Sequence, residues 1–178
     1  LPESYEGVFN QGGSSALIEG ESIGTYYLVR YAGVNPSNGN PLFYTKDGNL
    51  TENLNAEADR VSTGKSVYPV WQGGFGSSIR YKGFEFNTQW SYFADVYRNN
   101  LDYAQLEETS SVNDDGNRTT SLTRAWQQPG DITDIPRVGS PIGAVTYINQ
   151  TDRYLEDASF LRLRNILLGY SFSKEQLG

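Results

Sequence analysis

The 178-residue sequence contains no cysteine, no histidine and no methionine. Without cysteine there is no disulfide and no thiolate zinc site. Without cysteine or histidine, cysteine proteases and Ser-His-Asp hydrolases are excluded within this chain. No run of about 18 apolar residues occurs, so no transmembrane helix is expected. Long segments of helical 3.6-residue period are missing, as are heptads and internal repeats. Basic charge is scarce: 14 Lys and Arg stand against 21 Asp and Glu, a net charge of −7. That balance argues against a nucleic-acid partner. The opening LPESYEGVFN lacks both an initiator Met and a cationic-then-apolar leader. It reads as carrying no signal peptide, which leaves a cytoplasmic protein or a mature or partial chain.

What is plentiful is Gly (19), Tyr (13) and Phe (8). The mean hydropathy of −0.55 would count against a membrane, except that only alternate residues of a barrel strand meet lipid. Turn dipeptides are dense: Asn38-Gly39, Asp47-Gly48, Gly73-Gly74, Lys82-Gly83, Asp115-Gly116 and Pro129-Gly130. Together these predict an all-β chain.

The clearest element is the stretch SIRYKGFEFNTQWSY, residues 78–92. From Phe84 to Val96 the even positions read Phe84, Phe86, Thr88, Trp90, Tyr92, Ala94 and Val96. The odd positions read Glu85, Asn87, Gln89, Ser91, Phe93 and Asp95. Thirteen alternating residues would extend about 40 Å, where soluble strands usually stop near 5–6 residues. Tilted by about 45°, such a strand crosses a hydrocarbon layer of about 30 Å. A two-residue turn at Lys82-Gly83 would set Tyr81 opposite Phe84, Ile79 opposite Phe86 and Phe75 opposite Trp90. It would also set Arg80 opposite Glu85. Apolar pairs then fall on one face and polar pairs on the other. Lys is a poor residue for a turn that needs positive φ, so a one-residue bulge there would shift this pairing.

Two further strands fit. Ile23, Thr25, Tyr27, Val29 and Tyr31 alternate with Gly24, Tyr26, Leu28 and Arg30. Ile166, Leu168, Tyr170 and Phe172 alternate with Leu167, Gly169 and Ser171. Arg162 and Arg164 share parity with the apolar set of the latter. An Arg facing lipid at mid-depth costs about 2–4 kcal/mol. Either these arginines lie above the bilayer or a bulge near Asn165 switches the faces.

Connections alternate between the tight turn at 82–83 and long stretches at about 32–69 and 98–158. Short turns on one side and long loops on the other are the habit of outer-membrane barrels. A soluble sandwich has short loops at both ends. Pattern alone leaves both architectures open.

Four phrases in the long stretches are more specific: YAGVNPSNGNPLFYTKDG (31–48), YPVWQGGFGSSIRYKGFEFNTQW (68–90), AWQQPGDITDIPR (125–137) and RYLEDASFLRLRNILLGYSF (153–172). In this order and spacing they resemble the C-terminal barrel portion of SusC/RagA-like TonB-dependent outer-membrane transporters. The resemblance implies a transmembrane antiparallel β-barrel of about 22 strands, plugged and with long extracellular loops. It implies import of an oligosaccharide or peptide, without chemistry and without a cofactor, in the Gram-negative outer membrane. TonB, acting through parts outside this chain, a SusD-like surface lipoprotein and outer-membrane lipid are the implied partners. The chain lacks a plug domain and a TonB box and stops at SFSKEQLG, so residues 1–178 are expected to be part of one barrel domain. Four membrane strands cannot close a barrel, and their exposed edges would aggregate.

On this reading Phe84, Phe86, Trp90, Tyr92, Ile79, Tyr81, Ile166, Leu168 and Tyr170 face lipid, and Arg80, Glu85, Asn87 and Gln89 face the lumen. Arg80 with Glu85 also reads as a plain structural pair. Trp126, Asp131, Asp134 and Arg137 are candidates for binding substrate or partner. Trp126 would stack on a sugar ring, or else pack its own loop while Pro129-Gly130 and Asp131 serve turn chemistry. Tyr97 and Tyr103 would join an interfacial aromatic girdle or support the loop. Asp152, Glu156 and Asp157 would offer acid/base chemistry only if two were held about 5–10 Å apart. SSVNDDGNRTT (110–120) fails the spacing of a calcium loop because Ser111 stands where the first carboxylate belongs. Gly73–Gly76 is followed by no Lys-Ser/Thr and no helix, so it is no phosphate loop. Asn49, Asn117 and Asn149 begin N-x-T sequons of no expected use in a bacterial protein. Two other functions stay open: a secreted β-sandwich that binds carbohydrate, and a SusC-like barrel serving as an envelope scaffold.

Overall fold

The computed structural model describes residues 7–9, 13–111 and 116–173. The 110–120 loop tip therefore lies partly outside the described residues. In chain order the strands are β1 (Val8–Phe9), β2 (Ser15–Ile18), β3 (Thr25–Leu28), β4 (Tyr31–Val34), β5 (Pro41–Tyr44), β6 (Leu50–Thr51) and β7 (Val61–Ser66). The long strands β8 (Trp71–Tyr81) and β9 (Phe84–Ala94) follow, then β10 (Tyr97–Asn99). Helices α1 (Leu101–Leu106) and α2 (Ala144–Gln150) precede β11 (Leu155–Asp157) and the long β12 (Phe160–Tyr170). Among the described residues no helix is long and apolar enough to cross a membrane.

Two compact units divide these elements. One holds Pro69–Val96 and the chain from Asp157 onward, and its sheet runs β12-β9-β8. The β8–β9 register is the one the alternation predicts, with Tyr81 opposite Phe84, Arg80 opposite Glu85 and Phe75 opposite Trp90. No bulge intervenes, because Lys82 (φ 46°) and Gly83 (φ 89°) both take positive φ, as a two-residue hairpin turn requires. β9 stops at Ala94 rather than Val96. Asp95 turns into the left-handed region (φ 56°) and its amide donates to Ser159 Oγ at 2.9 Å.

β12 begins six residues before Ile166 and pairs antiparallel with β9. Its register slips between Leu163 and Asn165, so Arg164 is the extra residue of a bulge. That slip settles the parity conflict. Leu161 and Leu163 lie opposite Tyr92 and Trp90, while Ile166, Leu168 and Tyr170 lie opposite Thr88, Phe86 and Phe84. All five share the apolar face, and Arg162, opposite Ser91, falls on the polar one.

The other unit comprises the chain through Tyr68 and Tyr97–Glu156. Its sheets are β1-β2-β3-β7 and β4-β5-β6, and β10 pairs with β11. The stretches expected as long connections are thus folded. The expected strand over 23–31 is broken in two: β3 ends at Leu28, and the Val29 amide donates to the Gln150 carbonyl at 2.8 Å. Thr25, Tyr26, Leu28 and Val29 are all buried, so both faces of this short strand are covered. It is a core strand rather than a fourth long one. Val29, Phe43, Ala104, Ala144, Tyr147 and Tyr154 form the core of the unit.

Candidate functional site

The long sheet has two unlike faces. The nine residues expected to meet lipid share one of them, and Arg80, Glu85, Asn87 and Gln89 share the other. The apolar face is uncovered: Leu168 is 75% exposed, Trp71 67% and Tyr81 66%. Phe75 stacks on Trp90 with ring centroids 6.1 Å apart, and Phe84 packs on Tyr170 at 4.6 Å. On the polar face Arg80, Glu85 and Asn87 form one hydrogen-bonded set. Arg80 donates to Glu85 Oε1 through Nε (3.2 Å) and Nη2 (2.9 Å), and Asn87 Nδ2 donates to the same oxygen at 2.9 Å. Arg164 reaches from the bulge to Ser91 Oγ at 2.7 Å, and Arg162 lies 4.8 Å over the Phe160 ring. Both arginines are thereby kept off the apolar side. Large exposed apolar surface marks an interface or a membrane; here it is a whole face of three eleven-residue strands.

In the other unit the most concentrated chemistry surrounds Arg153, which the sequence did not single out. Its guanidinium lies 4.7, 5.0 and 5.1 Å from the ring centres of Tyr31, Tyr147 and Tyr154. Nη2 donates to Glu107 Oε2 at 2.8 Å, with both side chains about 5% exposed or less. Glu107 also accepts from Tyr154 Oη (2.9 Å), Tyr103 Oη (3.1 Å) and Ser121 Oγ (2.8 Å). Burial pushes the Glu107 carboxyl up, but the bonds from Arg153, Ser121 and Tyr154 outweigh it and hold the group below its ordinary range. Burial likewise raises the Tyr147 phenol to about 12. Tyr31 Oη accepts from Arg153 and donates to the Asp134 carbonyl at 2.9 Å. One cation therefore joins β4, the end of α1 and the 125–137 loop. A polar cleft of about 160 Å³ opens between Tyr31, Tyr103, Asp134 and Glu156.

Two of the four loop candidates, Trp126 and Arg137, pack against the 35–40 turn. Trp126 Nε1 donates to the Pro36 carbonyl at 3.1 Å. Its ring lies on Gly39, where a Cβ would come within 2.4 Å of it. Arg137 Nε donates to Asn40 Oδ1 at 3.2 Å, and its amide to the Gly39 carbonyl at 3.0 Å. Asp131 accepts the amides of Gln127 and Gln128, both at 3.0 Å, closing the Pro129-Gly130 turn. Asp134 is exposed, its carboxylate 3.8 Å from Arg124. Tyr103 packs edge-on against Tyr154 and bonds Glu107, so it supports the loop core. Lys65 lies 5.1 Å over the Tyr97 ring. Asp152 accepts the Tyr31 amide, Glu156 the Asn100 amide group and Asp157 the Ser159 amide. Each of these carboxylates thus serves local structure. Among the described residues no group of three or more acidic side chains is placed to hold a metal.

Comparison with known proteins agrees with the two-faced sheet. No protein-family model matches the chain. TonB-dependent receptor P3 of Formosa agariphila is 32% identical over a 191-residue alignment that takes in 99% of this chain, and TonB-dependent receptor P39 of the same organism is 29% identical over 94% of it. The chain spans only 18% and 16% of the length of these relatives. Among solved structures, the RagAB peptide importer in its closed-closed state matches 96% of this chain with a TM-score of 0.78 and 26% identity. Its open-open state matches 95% with a TM-score of 0.73 and 27% identity. The chain covers 19% and 18% of those structures. Over nearly its whole length, in sequence and in fold, this chain is similar to a segment of a TonB-dependent receptor of the SusC/RagA kind.

Proposed function

We propose that the chain is part of the wall and loop structure of an outer-membrane importer driven through TonB. The importer takes up an oligosaccharide or a peptide and works with a SusD-like surface lipoprotein. The observation that carries this reading is the uncovered aromatic and aliphatic face of β8, β9 and β12, backed by a polar face on which Arg80, Glu85 and Asn87 bond one another. On a lipid-facing wall the first is solvated by acyl chains and the second lines a wet lumen. The relatives' names, TonB-dependent receptor and RagAB peptide importer, support transport, and binding without bond cleavage is all the function needs of the loops. Trp126, Asp131 and Arg137 serve cargo by fixing the shape of the 125–137 loop, and Asp134 presents its carboxylate to solvent.

The test uses the full-length receptor, with a single Cys placed in turn at Phe86, Thr88, Trp90, Asn87 and Gln89. Each carries a spin label, and collision with oxygen and with a water-soluble nickel chelate is measured in bilayers. Oxygen access at the even positions, with nickel access or none at the odd ones, is the expected result. Even positions shielded from both reagents would mean a protein core, and the soluble carbohydrate-binding sandwich would replace the transporter.

A further inference from the structure

The turn end of the long hairpin carries a feature that the wall alone does not require. Lys82 holds φ 46°, a left-handed conformation that Asn or Gly adopts more readily. Backbone strain of this sort points to a use for the side chain. The Lys82 ammonium lies 5.3 Å over the Tyr81 ring. Among the described residues it has no ion-pair partner, since Glu85 is taken by Arg80. Around it the apolar face ends in aromatics: Tyr81 and Phe84, 66% and 56% exposed, and Tyr170 edge-on to Phe172 at 4.8 Å. Aromatic rings that end an apolar face sit at the membrane–water boundary, and a lysine beside them extends its ammonium to the headgroup level.

We propose that Lys82 binds the phosphate of an anionic phospholipid headgroup and anchors the hairpin turn at the periplasmic boundary, where the tight turns of such barrels lie. The Tyr81 ring holds the ammonium over the belt, and with no acidic partner among the described residues the lipid phosphate supplies the counter-charge. This rests on the membrane reading above and deepens it.

The experiment uses the full-length receptor with photoreactive p-benzoylphenylalanine at position 84, in vesicles of phosphatidylcholine containing one quarter phosphatidylglycerol. After illumination the adducts are identified by mass spectrometry. The expected result is an adduct ratio of phosphatidylglycerol to phosphatidylcholine raised about fivefold over the ratio in the bilayer, the factor one surface cation gives. Lys82→Asn, which suits the same backbone, returns the adducts to the bulk ratio, and Lys82→Arg keeps the enrichment. Bulk-ratio adducts in the wild type, or enrichment retained in Lys82→Asn, overturn the headgroup contact while leaving the membrane reading intact. Adducts to protein alone, with no lipid, overturn both.

Discussion

Arg153 is held by three tyrosine rings and one carboxylate with little solvent beside it. Removing one partner of a buried pair strands the other, at a cost of about 3–5 kcal/mol. Arg153→Met should therefore loosen the loop unit. Hydrogen exchange at the Ala104 and Thr151 amides, which close the turns of α1 and α2, should quicken by a hundredfold or more. The same site sets an acid dependence. The folded Glu107 carboxyl lies below its ordinary 4.5, so its stabilising contribution is complete above that pH and is lost as pH falls through the lower folded value. Unfolding followed from pH 7 to pH 3 should show a steeper loss in the wild type than in Glu107→Gln. Gly39 offers a second test at this scale. With φ +75° and the Trp126 ring filling the place of a Cβ, Gly39→Ala should release the 125–137 loop, seen as faster proteolysis after Arg124 or Arg137.

The strands invite a test of register. Arg164 is the residue by which β12 exceeds β9. Deleting it would restore continuous pairing while Leu161 and Leu163 stay opposite Tyr92 and Trp90 and Arg162 stays opposite Ser91. The deletion should therefore leave the yield of heat-resistant folded receptor on unboiled gels close to that of the wild type. Leu163→Arg, which puts an arginine on the apolar face at a cost of about 2–4 kcal/mol near mid-depth, should lower it. This element was half legible in the sequence. The parity clash of Arg162 and Arg164 with Ile166, Leu168 and Tyr170 required a bulge or a bilayer edge, and only the pairing with β9 decides between them. The hairpin was legible outright, because two strands agreed on one register. Strand β3 was not: its alternation resembles that of a wall strand, but it pairs with the short β2 and β7, and Val29 just past its end packs in one core with Ala104, Ala144 and Tyr147 from distant helices. Arg153 was hidden for the same reason, since no spacing links it to Glu107 46 residues before.

At the scale of the whole molecule, the sheet β12-β9-β8 has two outer edges that no other strand fills among the described residues. Unpaired edges beside an apolar face recruit other chains. The 69–96 and 157–173 segments, joined and expressed without the rest of a receptor, should elute as aggregates rather than as a monomer on size exclusion, and mixed micelles should not make them monodisperse.

The apolar face of β8 begins at Trp71 and ends at Tyr81, a run of about 33 Å along the strand. Inclined by about 40°, it presents a band about 25 Å tall, less than the roughly 30 Å of an average hydrocarbon core. On the membrane reading proposed above, a bilayer meeting this face must compress against it. The wall is therefore matched to thin membranes, and chain length alone becomes a selector: in vesicles of progressively longer acyl chains, insertion should slow and the neighbouring lipid should carry the deformation.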